Sequence, residues 1–486
     1  MSVIAYIKQL ASESLIYGIS GTIASSIGIF LIPIYTRIFS PSDYGVIALI
    51  TTLTGLISMF VVLGLDNSSG RWFYDSDKVQ DQKHTISSWF WCQLGVSCII
   101  AMGLFLLAPQ VSSLLLKSKD HAILILIAAL AIPFGTFSKV LGNWLRYQRR
   151  AWTTSIFSTL NSLGIIGIII LFVVVYKWGL IGIYSARLIA AAVISFVAVA
   201  ILRSWINPVY FSWKRLREML GFGLPLVPAA IASWITISSD RFILQMFHDT
   251  AEVGLYSIAA TIASGMALIT GAFQMAWGPF AFSIYREKES LNVYSKVFSL
   301  YALLFCLIGT ALSLFAPLLL RILTTPQYFS AASCVPFLVF SYIATGAIYI
   351  TSIGSGIAKK SKPVAMSIFI GAVINITFNF LLIPSLGKYG AAVSTLVANL
   401  CGVIYLYIAS QRNYSIPYQP WHAMACLGFS WILIAIDYIF ISNCGISSFG
   451  LRIGMCLMFI PFAFCLGVIR PVHAKRIFRL IRIATP

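Results

Sequence analysis

Asp43-Tyr44-Gly45, at the joint between two long apolar runs, returns 209 residues later as Glu252-Val253-Gly254 in the same setting. Ala108-Pro109 returns as Ala316-Pro317 at an offset of 208, and Lys177-Trp178-Gly179 as Lys388-Tyr389-Gly390 at 211. Three motifs at one offset, each between apolar runs, predict a duplicated membrane unit with a site between its halves, as many transporters are built.

The surroundings of these motifs are lipid. Hydrophobic residues make up 59% of the 486 and charged residues only 10%, with mean hydropathy +0.92, whereas soluble chains carry roughly 25% charged residues. In hydrocarbon every backbone polar group must be satisfied within the protein, which leaves helices or a closed barrel. The runs are about 20 residues long, the length a helix needs to cross a bilayer, and lack the period-two alternation of barrel strands. The chain therefore reads as an all-α integral membrane protein.

Fourteen spans are expected: 14–38, 44–65, 86–108, 121–141, 153–175 and 180–202 in the first half, 220–243, 254–277, 297–320, 331–358, 363–383 and 391–410 in the second, then 421–441 and 451–469. The domain plan is an N-terminal six-helix bundle over 1–202, a basic cytoplasmic linker over 203–219, a C-terminal six-helix bundle over 220–410, two additional helices over 411–469 and a basic tail over 470–486. An even number of spans per half makes the halves parallel, related by a pseudo-two-fold along the membrane normal. With the N-terminus inside, twenty-four of the 33 basic residues fall on the cytoplasmic side and eight on the other, with Arg187 inside a span. Cytoplasmic loops are rich in Lys and Arg, so this bias places both termini in the cytoplasm. The net charge of +19 is explained by topology before nucleic-acid binding. The N-terminus carries one cation, Lys8, and no cleavable apolar stretch, so no removable signal peptide is expected.

No catalytic constellation stands out. The nine cysteines lie inside or at the ends of apolar runs without metal-ligand spacing and read as small buried hydrophobes. No phosphate-cradling GxxxxGK[ST] is present. The chain is expected to be no enzyme and to need no cofactor. Energy would come from an ion gradient, H+ or Na+, from the substrate gradient, or from a partner.

Ionisable groups inside spans cost about 2.5 to 3.5 kcal/mol each on insertion scales, so each is a functional candidate. Arg187 lies deep in its span, beyond easy reach of the headgroups, and is expected to face a water-filled cavity or a carboxylate. Arg37 closes the first span of its half, and Asp240-Arg241 closes the first span of the other. If those helices line the cleft, Arg37, Arg187 and Arg241 form a cationic substrate site suited to phosphate. Glu13, Asp66 and Arg71 sit beside span ends on the cytoplasmic side and, with Asp240, are candidates for an inner gate or ion coupling. Asp437 reads as interfacial. Prolines such as Pro133, Pro225 and Pro228 free a carbonyl and permit kinks.

The opening stretch from Gly18 through Pro33-Ile-Tyr-Thr-Arg37 to Asp43-Tyr44-Gly45 resembles the first two helices of bacterial polysaccharide transporters, the O-antigen repeat-unit flippases. So do Leu63-Gly-Leu-Asp66 ahead of Arg71-Trp-Phe-Tyr, the basic turn Leu145-Arg-Tyr-Gln-Arg-Arg-Ala and Leu386-Gly-Lys-Tyr-Gly-Ala-Ala. The resemblance covers about the first 410 residues. It implies the multidrug/oligosaccharidyl-lipid/polysaccharide exporter fold, located in the bacterial cytoplasmic membrane. It also implies alternating access and movement of an undecaprenyl-pyrophosphate-linked oligosaccharide from the inner to the outer leaflet. The partners implied are that lipid-linked oligosaccharide, membrane lipids and other polysaccharide-assembly membrane proteins, with no nucleic acid. A lipid II flippase and a multidrug exporter of the same fold are alternatives, as is a membrane glycan polymerase or ligase. Multidrug exporters use buried acids for cationic drugs, and the scarcity of buried carboxylates here favours an anionic cargo.

Overall fold

The computed structural model describes residues 28–441 and 449–468, and all regular structure in them is helical, with no strand. Among the described residues, twelve helices are long and apolar enough to cross a membrane. In order with two shorter apolar helices they are α1 (Gly28–Ile38), α2 (Pro41–Tyr74), α3 (Val79–Leu106), α4 (Ala122–Tyr147), α5 (Ala151–Val175), α6 (Gly179–Leu202) and α7 (Trp213–Phe247). There follow α8 (Thr250–Ile284), α9 (Ser290–Leu323), α10 (Pro326–Ile357), α11 (Lys362–Leu386), α12 (Lys388–Asn413), α13 (Pro420–Phe440) and α14 (Phe449–Cys465). The chain is a multi-pass membrane protein. Glu13, the start of the expected first span and the basic tail 470–486 lie outside the described residues.

The apolar centres fall where the sequence places them, while several ends run further. α2 continues through Leu63–Gly64 to Tyr74, α4 passes Leu141 to reach Tyr147, and α7 begins at Trp213, inside the stretch expected as linker. Hydropathy falls off where lipid ends, whereas helical hydrogen bonding continues through polar turns capped by side chains. Ser212 shows this at α7: its hydroxyl accepts from Arg215 N.

The residues pack as two compact units. One comprises the chain up to Ser257 with Ile376–Ala391, the other Ile258–Asn375 with the chain from Ala392 onward. In the first unit α4 packs against α3, α5 and α6, and α2 against α7. Under α4 lies a core of Leu65, Phe73, Trp89, Phe90, Leu141 and Trp144. α2 bends where Leu63 and Gly64 take positive φ, 49° and 69°, a conformation glycine adopts without steric cost. A Cβ on Gly64 would strike the Gly223 carbonyl. Ser68 Oγ donates to Met219 O at 2.8 Å beside it. The bend of α2 thus rests on α7 just before its own 3-10 turn, Leu224–Leu226, which carries Pro225.

The first of the repeated motifs meets its copy in this unit. A Cβ on Gly45 would strike the Thr250 carbonyl, and one on Gly254 the Pro41 carbonyl. Their caps match: Ser40 and Asp43 form a reciprocal capping box at α2, and Asp249 Oδ1 accepts from Glu252 N at 2.9 Å at α8. Glu252 further pairs with Lys388 of the third motif at 2.7 Å.

In the second unit α9 is central, packed against α10, α13 and α14. Tyr301 and Phe305 stack with centroids 4.1 Å apart, and Tyr301 Oη donates to Ile343 O at 2.7 Å beside Gly346. Asp437, expected near the membrane interface late in its span, is enclosed by protein. It is buried, 6% exposed, and accepts from Arg452 Nε at 2.7 Å and Nη2 at 3.3 Å, tying α13 to α14. The pairing is explained by burial, since a charge lodged in a helix hairpin is tolerated only with a partner.

Candidate functional site

Within the first unit a cavity of about 290 Å³ opens among α2, α3, α4 and α6. Its α4 wall is Ala128, Ala131, Ile132, Gly135, Thr136 and Lys139, a three-and-four spacing that puts one stripe of a helix along the opening. Small residues make the room and Lys139 stands at the end of the stripe. α2 supplies Thr54, Ser58, Val61 and Val62, α3 Gln93, and α6 Tyr184 and Arg187.

Lys139 Nζ pairs with Asp66 Oδ2 at 3.0 Å, the two side chains 40% and 26% exposed. Asp66 is carried into place by the bend at Leu63–Gly64, which starts a new helical turn there. Gln93 Nε2 donates to Asp66 Oδ1 at 3.0 Å and to Val62 O at 3.4 Å. Arg187 Nη1 donates to Thr51 Oγ1 at 3.4 Å, with its guanidinium 5.8 Å from the centre of the Tyr184 ring. Both cations of this cavity therefore sit on membrane-spanning helices, and the ion pair leaves an excess of one positive charge. Such a surface attracts an anion and supplies the planar donor fork that matches phosphate oxygens.

The other residues singled out from the sequence lie elsewhere. Arg37 is exposed at the end of α1, where Nη1 donates to Pro33 O at 3.2 Å. Arg241 donates from Nη1 to Ile237 O at 3.1 Å and from Nε to Ser257 Oγ at 3.3 Å. It also lies 3.5 Å from Asp240 and over the Tyr256 ring. Asp240 is 1% exposed and accepts from Tyr256 Oη and from Arg241 N. Arg71 is exposed between the rings of Trp72 and Phe222. Of the candidates, Arg187 lines the cavity and Asp66 reaches its edge. Lys139, Gln93 and Tyr184 were not singled out. Lys139 falls inside the expected span 121–141 and on the stripe through Ala128, Ala131 and Gly135, but a cation so near a span end reads equally as topological charge. Among the described residues no group of three His, Cys, Asp or Glu side chains is placed to hold a metal ion.

Residues 34–333 match the family described as polysaccharide biosynthesis protein. The chain belongs to that family. A curated relative of this polysaccharide biosynthesis protein is the succinoglycan biosynthesis transport protein ExoT of Rhizobium meliloti (strain 1021). The two are 23% identical over 273 residues, 55% of this chain and 53% of the relative, so the match spans about half the relative's length. Among solved structures, the lipid II flippase MurJ in an inward closed conformation superposes with TM-score 0.74 at 16% identity, covering 94% of this chain and 100% of that one. An inward-facing multidrug resistance MATE family transporter of the MOP superfamily gives TM-score 0.61 at 16% identity, covering 80% and 94%. The polysaccharide biosynthesis protein thus has the fold of these two solved structures, and these three proteins are named as a transport protein, a flippase and a transporter.

Proposed function

We propose that this protein is a flippase that moves an undecaprenyl-pyrophosphate-linked oligosaccharide, an O-antigen or similar repeat unit, from the inner to the outer leaflet of a bacterial cytoplasmic membrane. The observation that carries the reading is the cavity among α2, α3, α4 and α6 with Arg187 and Lys139 on its wall. Two cations on spanning helices are expensive to keep there, and an anionic cargo accounts for them. A multidrug exporter of cationic drugs would want a free carboxylate at this place, whereas Asp66 is paired with Lys139. Arg37 and Arg241 are proposed to serve the cargo at other points of its path. Ion coupling, to H+ or Na+, is proposed to act through Asp240 or Asp66, and Arg71 and Glu13 to belong to an inner gate. Both termini are proposed to face the cytoplasm, on the charge bias of the loops.

The test is a clean deletion in a strain without a second flippase. Lipid-linked oligosaccharide should accumulate unflipped and surface polysaccharide should disappear. Complementation by the wild-type gene should restore it, and by Arg187→Ala should not, with membrane levels of the variant unchanged. Normal surface polysaccharide in the deletion strain would refute the function, and full complementation by Arg187→Ala would refute the role of Arg187.

A further inference from the structure

Two buried polar atoms of the cavity have no hydrogen-bond partner among the described residues: Gln93 Oε1 and Tyr184 Oη. Gln93 is fully buried and Tyr184 is 2% exposed. The orientation of the Gln93 amide is set by its neighbours, because Asp66 Oδ1 and Val62 O are both acceptors and hold the NH2 end. The oxygen is the end left over, and a buried amide oxygen calls for a donor. The ionised phosphoester of a lipid-linked sugar has none to give, while a sugar hydroxyl does. Beside this acceptor stand the two cations, and they are in different states. Lys139 is neutralised by Asp66 at 3.0 Å, whereas Arg187 holds the neutral Thr51 hydroxyl.

We propose that this cavity binds a glycosyl phosphate, and that the phosphate takes Lys139 from Asp66 as it enters. The proposal rests on the flippase reading for the source of that group, the sugar–phosphate linkage of the lipid-linked cargo. Phosphate oxygens occupy the side of Arg187 and Lys139, a sugar hydroxyl donates to Gln93 Oε1, and Tyr184 Oη donates to the ligand. Asp66 remains held through Oδ1 by Gln93. At about 290 Å³ the cavity lies at the small end of ligand sites, roughly 300 to 1,000 Å³. That is room for one sugar with its phosphate, so the rest of an oligosaccharide stays outside. Asp66 is then a built-in competitor: it keeps Lys139 from standing as an unpaired cation when the cavity is empty, and it weakens the anion's hold enough for release.

The experiment is calorimetric titration of the full-length protein in lipid nanodiscs with glucose 1-phosphate, inorganic phosphate and glucose. Glucose 1-phosphate should bind at least about tenfold tighter than either fragment, and Asp66→Asn should tighten both phosphates by about tenfold. In a Lys139→Ala background Asp66→Asn should change nothing, and Gln93→Leu should erase the preference for the sugar phosphate over phosphate. Melting curves establish that each variant is folded. Equal binding of the two phosphates, no binding, or an Asp66→Asn protein that is folded and binds anions no tighter would each overturn the proposal. The deletion phenotype is independent: lost polysaccharide without glucose 1-phosphate binding removes the subsite and leaves the flippase, and the converse removes the flippase.

Discussion

Gly45 and Gly254, 209 residues apart in the chain, share one backbone crossing: the first lies against Thr250 and the second against Pro41. Thr250 is the repeat equivalent of Pro41, so each partner contacts the copy of what contacts it. Neither position has room for a side chain, because what would be struck is a carbonyl and not a movable side-chain end.

Gly45→Ala and Gly254→Ala should each destabilise the protein by about 1 to 3 kcal/mol or more, the usual cost of forcing atoms into a packed contact. The double variant should cost less than the sum, since both act on one crossing. Thermal unfolding in detergent reads both effects, and strict additivity would show the two glycines to be independent.

Gly64→Ala should harm transport more than stability. The left-handed backbone costs a side chain roughly 1 to 2 kcal/mol, and the added Cβ meets the Gly223 carbonyl. Relief displaces the turn that carries Asp66, the partner of Lys139. Transport by reconstituted protein, normalised to the folded fraction, should fall, and an unchanged rate would separate the bend from the cavity.

Asp437→Leu alone, or Arg452→Met alone, should cost about 3 to 5 kcal/mol by leaving a buried charge unpaired. The double replacement should recover most of that loss, because two well-packed apolar side chains replace the pair. Melting temperatures of the three variants decide it.

Arg187→Ala should reduce transport by more than tenfold, about 1.4 kcal/mol or more, with Arg187→Lys intermediate because the planar fork is lost and the charge kept. Arg37→Ala should have the smaller effect, since that side chain is exposed and donates to its own helix. A complementation series in the deletion strain ranks the three.

Hydropathy located the spanning helices because lipid imposes a demand that each stretch answers locally. The motifs around Gly45 and Gly254 were legible for a similar reason: turns and close backbone approaches require particular residues. Arg187 was legible from its depth. Lys139 was not, for the same charge near a span end serves topology or a cavity according to which face of α4 turns inward, and that is settled by α2, α3 and α6. Likewise, Arg37 and Arg241 share a place at the ends of their expected spans, yet α7 continues past Arg241 to Phe247, and the partners of each are set by neighbouring turns and helices that spacing does not reveal.

Asp66 lies two residues beyond Gly64, whose backbone is seated on Gly223 of α7, next to the 3-10 turn at Leu224–Leu226. The carboxylate that neutralises Lys139 therefore stands on a footing supplied by a different helix. A change in that turn would move the footing, and with it the separation of Asp66 and Lys139, now 3.0 Å. A mechanical coordinate of α7 is in this way written into the electrostatics of a cavity that α7 itself does not line.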